Sequence, residues 1–298
     1  MLITKVFNIP VSAHTSLPFV NVDTEDDTRL FIDSGLIRNA DDPISKLACV
    51  VGDSFLSEVM DAYQFGGNPQ KLLRLYEHCH EPNYTRLGYG NGSNGKARTP
   101  KGLLRIFAPI NDWLKHSVHL TRPEDFPLCL PEFSNDNMSD LETNLNVWVL
   151  NRFTLTLYKK YGSTIAYLAY PKEPAFYWDF QRKIWRVLQE PMLHVNGKPL
   201  LLVPKWWVTP DVYSRPEVFI RHVLAVKLML ERYRGEKGPS KKDFINSLPG
   251  TSQEIVNRYL QECPDLLEQF HKYLDQNYGK RVLHNDQLDH YTGINVIR

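Results

Sequence analysis

The sequence predicts an α+β protein with a central antiparallel β-meander, a long buried helix and a helical C-terminal part. Apolar residues recur at helical spacing over residues 44–63 and 136–161, short β-branched and aromatic runs follow between residues 164 and 203, and helical signals return after residue 215. There is no internal repeat and no linker long enough to separate domains. We therefore expect one compact domain over residues 1–298, with 212–298 as a candidate helical subdomain.

In the first half of the chain, short apolar runs bounded by turn residues predict strands, and periodic runs with proline or glycine at their ends predict helices. The strands are predicted at Lys5–Val11 and Arg29–Ile32, and the helices at Ile44–Tyr63 and Gln70–His80. The segment Pro82–Thr99 reads as a loop. A helix should then begin at Thr99-Pro100, with the hydroxyl as N-cap and proline at N1, and run to about His116 with a break near Pro109.

In the second half, the longest periodic run predicts one central helix over Asp136–Tyr161, closed by Gly162. Strands are predicted at 164–170, 176–180 and 184–188, and Asn196-Gly197 between two apolar runs predicts a hairpin. A helix over Arg215–Arg234, a capping box at Thr251-Ser-Gln-Glu254 and a helix over Asp265–Tyr278 complete the prediction.

Composition excludes several classes of protein. The chain has 298 residues, a net charge of +1, 42% hydrophobic and 23% charged residues, which argues against disorder or a collagen-like repeat. No apolar run reaches the roughly 18 residues of a membrane span, and the start lacks the features of a signal peptide, so we expect a cytoplasmic protein. The four cysteines form no CxxC pair, which indicates reduced thiols, and the common catalytic signatures are missing.

A glycine-rich segment precedes the Thr99 helix and has the parts of a phosphate-binding loop. It has glycines at 88, 90, 92 and 95, and Ser93, Lys96 and Arg98 add hydrogen-bond donors close to a helix N-terminus. No acidic residue lies between Glu81 and Asp112, and Lys101 belongs to the same basic stretch. The segment lacks the Walker pattern, so we do not interpret it as an NTPase. The alternative is a surface loop without a ligand.

Three polar residues follow one stripe of the predicted central helix. Asp136, Asp140 and Asn144 are four residues apart, which stacks their side chains on one face, and such a stripe on a buried helix is costly unless it faces a cleft. Capping of the helix start is the alternative for the two aspartates but explains Asn144 poorly. Glu81, directly before the glycine-rich segment, is a candidate for the same cleft.

Lys205 follows an apolar strand that ends at Pro204, where it is a candidate to neutralise a phosphate or pair with Asp140; a solvated strand end is the alternative. Trp206, Trp207 and Tyr89 are candidates to stack on bases or wedge between them, although two tryptophans also suit a core. We give a structural interpretation to the histidines of His78-Cys79-His80, because they would point to different faces of a helix and no complementary metal motif exists.

These motifs together resemble a poorly described bacterial family. The resemblance runs from about Leu30 to Lys205 and rests on four motifs and one early segment: Glu81-x5-Leu87-Gly88, Gly92-Ser93-x-Gly95-Lys96-Ala97, Asp136-x-x-Ser139-Asp140-x-x-Thr143-Asn144, Leu202-Val203-Pro204-Lys205, and Phe31-Ile32-Asp33-Ser34-x-Leu36. Members of the family occur alone or ahead of a restriction-type nuclease domain, in phage-defence neighbourhoods. The resemblance implies a role in defence. It also implies that one group of functional residues comprises Glu81, Ser93, Lys96, Asp136, Asp140, Asn144 and Lys205.

Three functions remain open. In the first, the protein is a DNA glycosylase that excises bases, modified or plain, from phage DNA, with Asp140 activating water or stabilising the sugar cation and no cofactor. In the second it is a nuclease, with Mg²⁺ on Asp136, Asp140 and Glu81 and with Lys205 stabilising the transition state. In the third it is a non-catalytic sensor or adaptor for nucleic acid or a nucleotide. DNA is the expected partner, and the hypothesis requires Asp140 and Lys96 to share a water-accessible cleft.

Overall fold

The computed structural model describes residues 1–10, 13–64, 67–80, 83–89, 99–234 and 236–294. It confirms the α+β class, with small antiparallel sheets among helices and a helical C-terminal part. The helices are α1 Ile3–Val6, α2 Ser34–Asn39, α3 Pro43–Tyr63, α4 Pro69–Leu75, α5 Pro100–Phe107, α6 Ile110–Lys115, α7 Phe126–Cys129, α8 Asn135–Leu145, α9 Val147–Tyr161, α10 Pro216–Phe219, α11 Ala225–Tyr233, α12 Lys241–Asn246, α13 Ser252–Glu262, α14 Asp265–Asn277 and α15 Asn285–Tyr291.

Within the described residues, the strands form three separate small sheets instead of a single meander. They are β1 Phe31–Ile32, β2 Ala166–Ala169, β3 Phe176–Asp179, β4 Ile184–Val187, β5 Met192–Val195, β6 Lys198–Leu200 and β7 Val208–Thr209. The β3–β4 hairpin lies between β2 and β5 in the chain, while β2 pairs with β5 and β5 with β6. The Asn196-Gly197 hairpin is confirmed, since both residues have positive φ (51° and 74°), as a type I′ turn requires.

Helix α3 is the long central helix of the fold. Asp42 caps its start by accepting hydrogen bonds from the backbone N–H groups of Ile44 (3.1 Å) and Ser45 (3.0 Å), and Pro43 occupies the first turn. Its apolar stripe, including Val51, Phe55 and Val59, is buried. The prediction for this helix is confirmed within a residue, because apolar spacing and end signals agree.

The predicted helix over 136–161 is two helices, α8 and α9, which meet at Asn146. The side chain of Asn146 donates to the backbone carbonyl of Glu142 (3.1 Å) and to its Oε2 (2.9 Å), so a polar side chain competes with the helical ladder at this point. The aspartate stripe belongs wholly to α8. Its N-cap is Ser134, in a capping box with Asn137.

The prediction of a strand at Lys5–Val11 is wrong where the structure describes it. Residues Ile3–Val6 form the short helix α1, and residue 11 lies outside the described part of the chain. Short apolar runs do not distinguish a strand from a helical turn by spacing alone. Of the predicted strand Arg29–Ile32, only Phe31–Ile32 pairs, with β7.

The C-terminal part confirms three helical predictions. Residues 216–233 run as α10, a π-helical segment over Ile220–Leu224, and α11, and the chain leaves the helix at Arg234 with φ 44°. The capping box of Thr251 and Glu254 opens α13, and α14 follows. Over the described ranges, none of the helices is both long and apolar enough to cross a membrane.

Candidate functional site

Residues 31–34 and Gly88, which belong to two of the segments that carry the family resemblance, lie against a third, the N-terminal part of α8. Strand β1 pairs with β7, which brings the Phe31-Ile32-Asp33-Ser34 segment next to the chain that follows Pro204. The backbone N–H of Ile32 donates to Ser139 Oγ (3.1 Å), and that of Asp33 donates to the carbonyl of Trp207 (2.9 Å). Residues far apart in the chain therefore surround one helix.

Asn144 joins α8 to the start of the glycine-rich region. Its side-chain Nδ2 donates to the backbone carbonyls of His80 (2.6 Å) and Asp140 (2.8 Å), and the residue is buried. Because both bonds use Nδ2, Asn144 positions the chain at His80. Asp136 and Asp140 are partly exposed, so neither aspartate is sealed in the core.

Gly88 brings the base of the glycine-rich segment against Asp136. A Cβ on Gly88 would lie 3.5 Å from Asp136 Oδ1, and the φ of Gly88 is +146°, which favours glycine. Its backbone N–H donates to the carbonyl of Thr28 (3.0 Å). The aspartate helix and Gly88, the described start of the glycine-rich segment, thus lie side by side. Lys96, which the predicted cleft requires beside Asp140, lies outside the described residues.

Tyr89 is an exposed aromatic residue beside this carboxylate. Its side chain is 56% exposed, its ring lies 4.7 Å from that of Phe31, and the guanidinium of Arg29 lies 5.8 Å from the ring centroid. The ring of Tyr89 is therefore held at the surface beside a cation.

Five of the predicted site residues cannot be placed. Glu81, Ser93, Gly95, Lys96 and Arg98 lie outside the described residues. Directly after them, Thr99 caps α5 as predicted, because its Oγ1 accepts from the backbone N–H of Gly102 (3.1 Å). Lys101 is exposed in the first turn of that helix and forms no ion pair with the described residues.

The cavities near α8 differ greatly in size. The one that Asp140 lines, with Tyr76, Cys79 and Phe107 among its neighbours, has a volume of about 10 Å³, which is room for about one water. On the other side of His80 lies a cavity of about 320 Å³, bounded by polar and titratable side chains. These are His80, Tyr84, Lys172, Glu173 and His194.

Sequence reasoning missed this larger cavity. His80 and His194 are 114 positions apart and share no motif, so no spacing could have grouped them. His194 is buried, its Nδ1 lies 3.0 Å from the carbonyl of Met192, and its ring stacks on Tyr167. Burial raises the pKa of Tyr84. The structural interpretation of the neighbouring His78 is supported, since its ring stacks on Phe176 at 3.6 Å.

Lys205 belongs to a different cluster from Asp140. Its Nζ donates to the carbonyl of His14 (2.6 Å) and to Oδ1 of Asn285 (2.8 Å), and burial lowers its pKa, opposed by the nearby carboxylate of Asp289. His14 Nε2 accepts from the backbone N–H of Asn21 (2.9 Å), so its Nδ1 carries the proton given to Asp289 (2.7 Å). Lys205 connects the two ends of the chain, and the predicted pairing with Asp140 is wrong.

The two tryptophans after Lys205 anchor the fold. Trp207 is fully buried and donates from Nε1 to Ser45 Oγ (2.7 Å), and Trp206 donates to Asp42 Oδ2 (2.8 Å). Both indoles therefore hold the start of α3. The prediction that they stack on bases is wrong for Trp207, which has no accessible face, and Trp206 has its polar atom engaged.

Beneath α8 lies a buried acidic cluster. Glu142 is fully buried and accepts hydrogen bonds from the hydroxyl of Ser34 and from Asn146 Nδ2 (2.9 Å), and burial raises its pKa to about 8. Burial also raises the pKa of Asp33 to about 6, opposed by hydrogen bonds from the backbone N–H groups of Tyr213 and Gly35. No solvent reaches these carboxyl groups, so they act on stability.

No group of three or more His, Cys, Asp or Glu residues within the described ranges is arranged to hold a metal ion. Glu81, which the nuclease hypothesis requires as a metal ligand, lies outside those ranges.

Comparison with known proteins gives one result. The curated proteins and the solved structures contain no significant match to this chain. A family model, described as a domain of unknown function (DUF8370), matches residues 8–214, the part that holds Asp136, Asp140, Asn144 and the glycine-rich segment. Because the match covers more than half of the 298 residues, the chain belongs to the DUF8370 family.

Proposed function

We propose that the protein acts on nucleic acid at the surface formed by residues 86–89 and α8, as a DNA glycosylase whose catalytic carboxylate is Asp140. The single observation that carries the proposal is the position of Gly88 beside Asp136, which sets the described start of the glycine-rich segment next to a partly exposed pair of carboxylates. A loop of this composition suits phosphates, and a carboxylate suits the oxocarbenium-like transition state of glycosidic hydrolysis.

The chemistry needs one water and one positioned carboxylate. Water adds to the sugar C1′ as the bond from C1′ to the base nitrogen breaks; Asp140 takes one proton from the water and passes it to the departing base nitrogen, which regenerates the carboxylate. The cavity of about 320 Å³ beyond His80 is the space for a base rotated out of the duplex, with Tyr84 and His194 as its walls. Tyr89 would occupy the gap that the base leaves.

The substrate in this proposal is DNA of an infecting phage, as the family resemblance implies, and the role is antiviral defence. Two cations support binding on this face: Arg29 beside Tyr89, and Lys101 in the first turn of α5. Arg86 serves another purpose, since its guanidinium donates to the carbonyl of Thr24 (3.0 Å) and holds the segment in place. Engagement of Lys205 elsewhere leaves the nuclease hypothesis without its proposed catalytic lysine.

One observation favours a non-catalytic sensor as the second candidate. The cavity at Asp140 is only about 10 Å³, so within the described residues the carboxylate has no substrate-sized pocket of its own. A sensor would bind DNA on the same surface and would leave it intact.

The test is incubation of the protein with plain and modified phage DNA, followed by alkali. We expect alkali-dependent breaks, which mark abasic sites, that persist in EDTA and disappear in Asp140→Asn. Asp265→Asn, an exposed aspartate in the first turn of α14, is the control and should retain the activity. Breaks without alkali that EDTA abolishes would support the nuclease, and tight binding without any break in either protein would support the sensor.

A further inference from the structure

A cavity of about 550 Å³ lies where the family region meets the C-terminal helices. One wall comes from residues 209–222, which connect β7 to the π-helical segment, and the other from residues 280–287. The family match ends at residue 214, so the cavity is shared between the family region and the chain that follows. The volume lies within the range of small-molecule sites, which favour such junctions.

The charge of the cavity wall is positive. Its two carboxylates, Asp211 and Glu217, both lie against Arg215, which forms an ion pair with Asp211 and lies 3.9 Å from Glu217. Arg221, Lys280 and Arg281 are exposed on the wall and form no ion pair with the described residues. With Arg215, the wall carries four cations against two carboxylates, so its net charge is +2 with the histidines neutral.

A titratable group in the same wall responds to this charge. Burial lowers the pKa of His222, and the charges of Lys241, Arg221 and Arg281 lower it further. His222 also stacks on the ring of Tyr273 (4.7 Å), which fixes its position on the wall. The lowered pKa of His222 therefore reflects the positive potential of the cavity wall, which keeps the imidazole neutral.

The side chain of Arg281 is held in position before any ligand arrives. Its guanidinium lies 3.9 Å from the ring centroid of Tyr213, whose backbone N–H donates to Asp33 Oδ2 (3.1 Å) and whose hydroxyl lies 2.6 Å from that of Tyr273. Arg221 stands on the π-helical segment, whose extra residue per turn alters the direction of side chains and is frequent at functional sites. An anion entering the cavity would meet an Arg281 guanidinium that is already oriented.

We propose that this cavity binds a small phosphorylated molecule up to the size of a nucleotide, with Arg221 and Arg281 on the phosphate. Planar guanidinium groups bind phosphate through paired hydrogen bonds, and Lys280 adds a third charge. The valine and leucine side chains of the wall, at positions 212, 218, 282 and 283, leave room for an apolar part of the ligand. The site uses none of the residues assigned to DNA, so it stands independently of the glycosylase proposal.

The test is calorimetric titration of the full-length protein with four probes: inorganic phosphate, ribose 5-phosphate, adenosine monophosphate and adenosine. We expect saturable binding of at least one phosphorylated probe and at least tenfold weaker binding of adenosine. Arg221→Gln should weaken binding at least tenfold, as should Arg281→Gln. Arg232→Gln, an exposed arginine of α11 that does not line the cavity, should bind as the wild type does.

Arg221 is the decisive position, because it is exposed and its substitution leaves the packing of Tyr213 intact. Equal binding of adenosine and adenosine monophosphate would overturn the proposal, as would Arg221→Gln binding like the wild type, or failure of every phosphorylated probe to bind. A twelve-residue oligonucleotide that binds at Arg221 when the small probes do not would assign the cavity to nucleic acid instead.

Discussion

Replacing the buried Glu142 by glutamine should change how the stability of the protein depends on pH. Burial raises the pKa of Glu142 from its ordinary 4.5 to about 8, which is about 3.5 pH units. Between those pH values the folded protein retains the proton and the unfolded chain releases it, so the free energy of unfolding falls as pH rises. At 1.36 kcal/mol per unit, the loss reaches about 5 kcal/mol at pH 8.

Glu142→Gln should lose this dependence and keep the local hydrogen bonds. The amide oxygen can accept from Asn146 and the amide nitrogen can donate to the hydroxyl of Ser34, while no proton can dissociate. Relative to the wild type, the variant should therefore gain stability steadily from pH 5 to pH 8. The measurement is urea unfolding at half-unit steps of pH. Exposed Glu236→Gln is the control and should follow the wild-type curve.

A constant difference between Glu142→Gln and the wild type across that range, within about 1 kcal/mol, would refute the reasoning. It would mean that the Glu142 carboxyl has the same pKa in the folded and unfolded chains, and hence that the pocket around Ser34 and Asn146 is open to water.

Two further changes test other parts of the fold. Gly197→Ala should lower the free energy of unfolding by about 1 kcal/mol in a urea titration. Gly197 has φ +74° and an added Cβ meets no atom within 4 Å, so the substitution changes only backbone strain. Gly279→Ala is the control: its Cβ also meets open space, but Gly279 has no positive φ, so the free energy of unfolding should be nearly unchanged. His14 has a pKa lowered by burial, against the hydrogen bond and charge of Asp289, so the folded state binds fewer protons than the unfolded state below pH 6.5 and stability should fall with acid. His14→Gln should be less stable at pH 7 but should lack that component as the pH falls below 6.5, and equal acid slopes for both proteins would contradict the neutral imidazole.

Signals that are local in the chain predicted much of the fold. The Asn196-Gly197 turn, the Thr251 capping box and the Thr99-Pro100 helix start each depend on a few neighbouring residues, and each is present. The sequence did not predict the break between α8 and α9 at Asn146. The break depends on hydrogen bonds of the Asn146 side chain to Glu142, and asparagine also occurs within continuous helices. The antiparallel character of the strands was visible, but their division into separate sheets depends on which distant strands meet.

The candidate site could be predicted where its residue types and their spacing lie within one helix. Asp136 and Asp140 lie on one accessible face of a helix because four-residue spacing dictates it. Lys205 and Trp207 were misassigned because their partners, Asn285 and Ser45, are 80 and 162 positions away and no pattern links them. Sequence reasoning sees which groups a segment offers, while contacts between distant segments decide which of those groups remain available.

The contact of His14 with Asp289 has a practical consequence for protein production. His14 lies inside the stretch matched by the family, and Asp289 lies 75 residues beyond its end at residue 214. A gene cut at that boundary would encode a polypeptide missing α15, and with it the carboxylate that satisfies a buried imidazole and the amide that holds Lys205. Because these contacts join α15 to the region that the family model matches, expression should extend through α15.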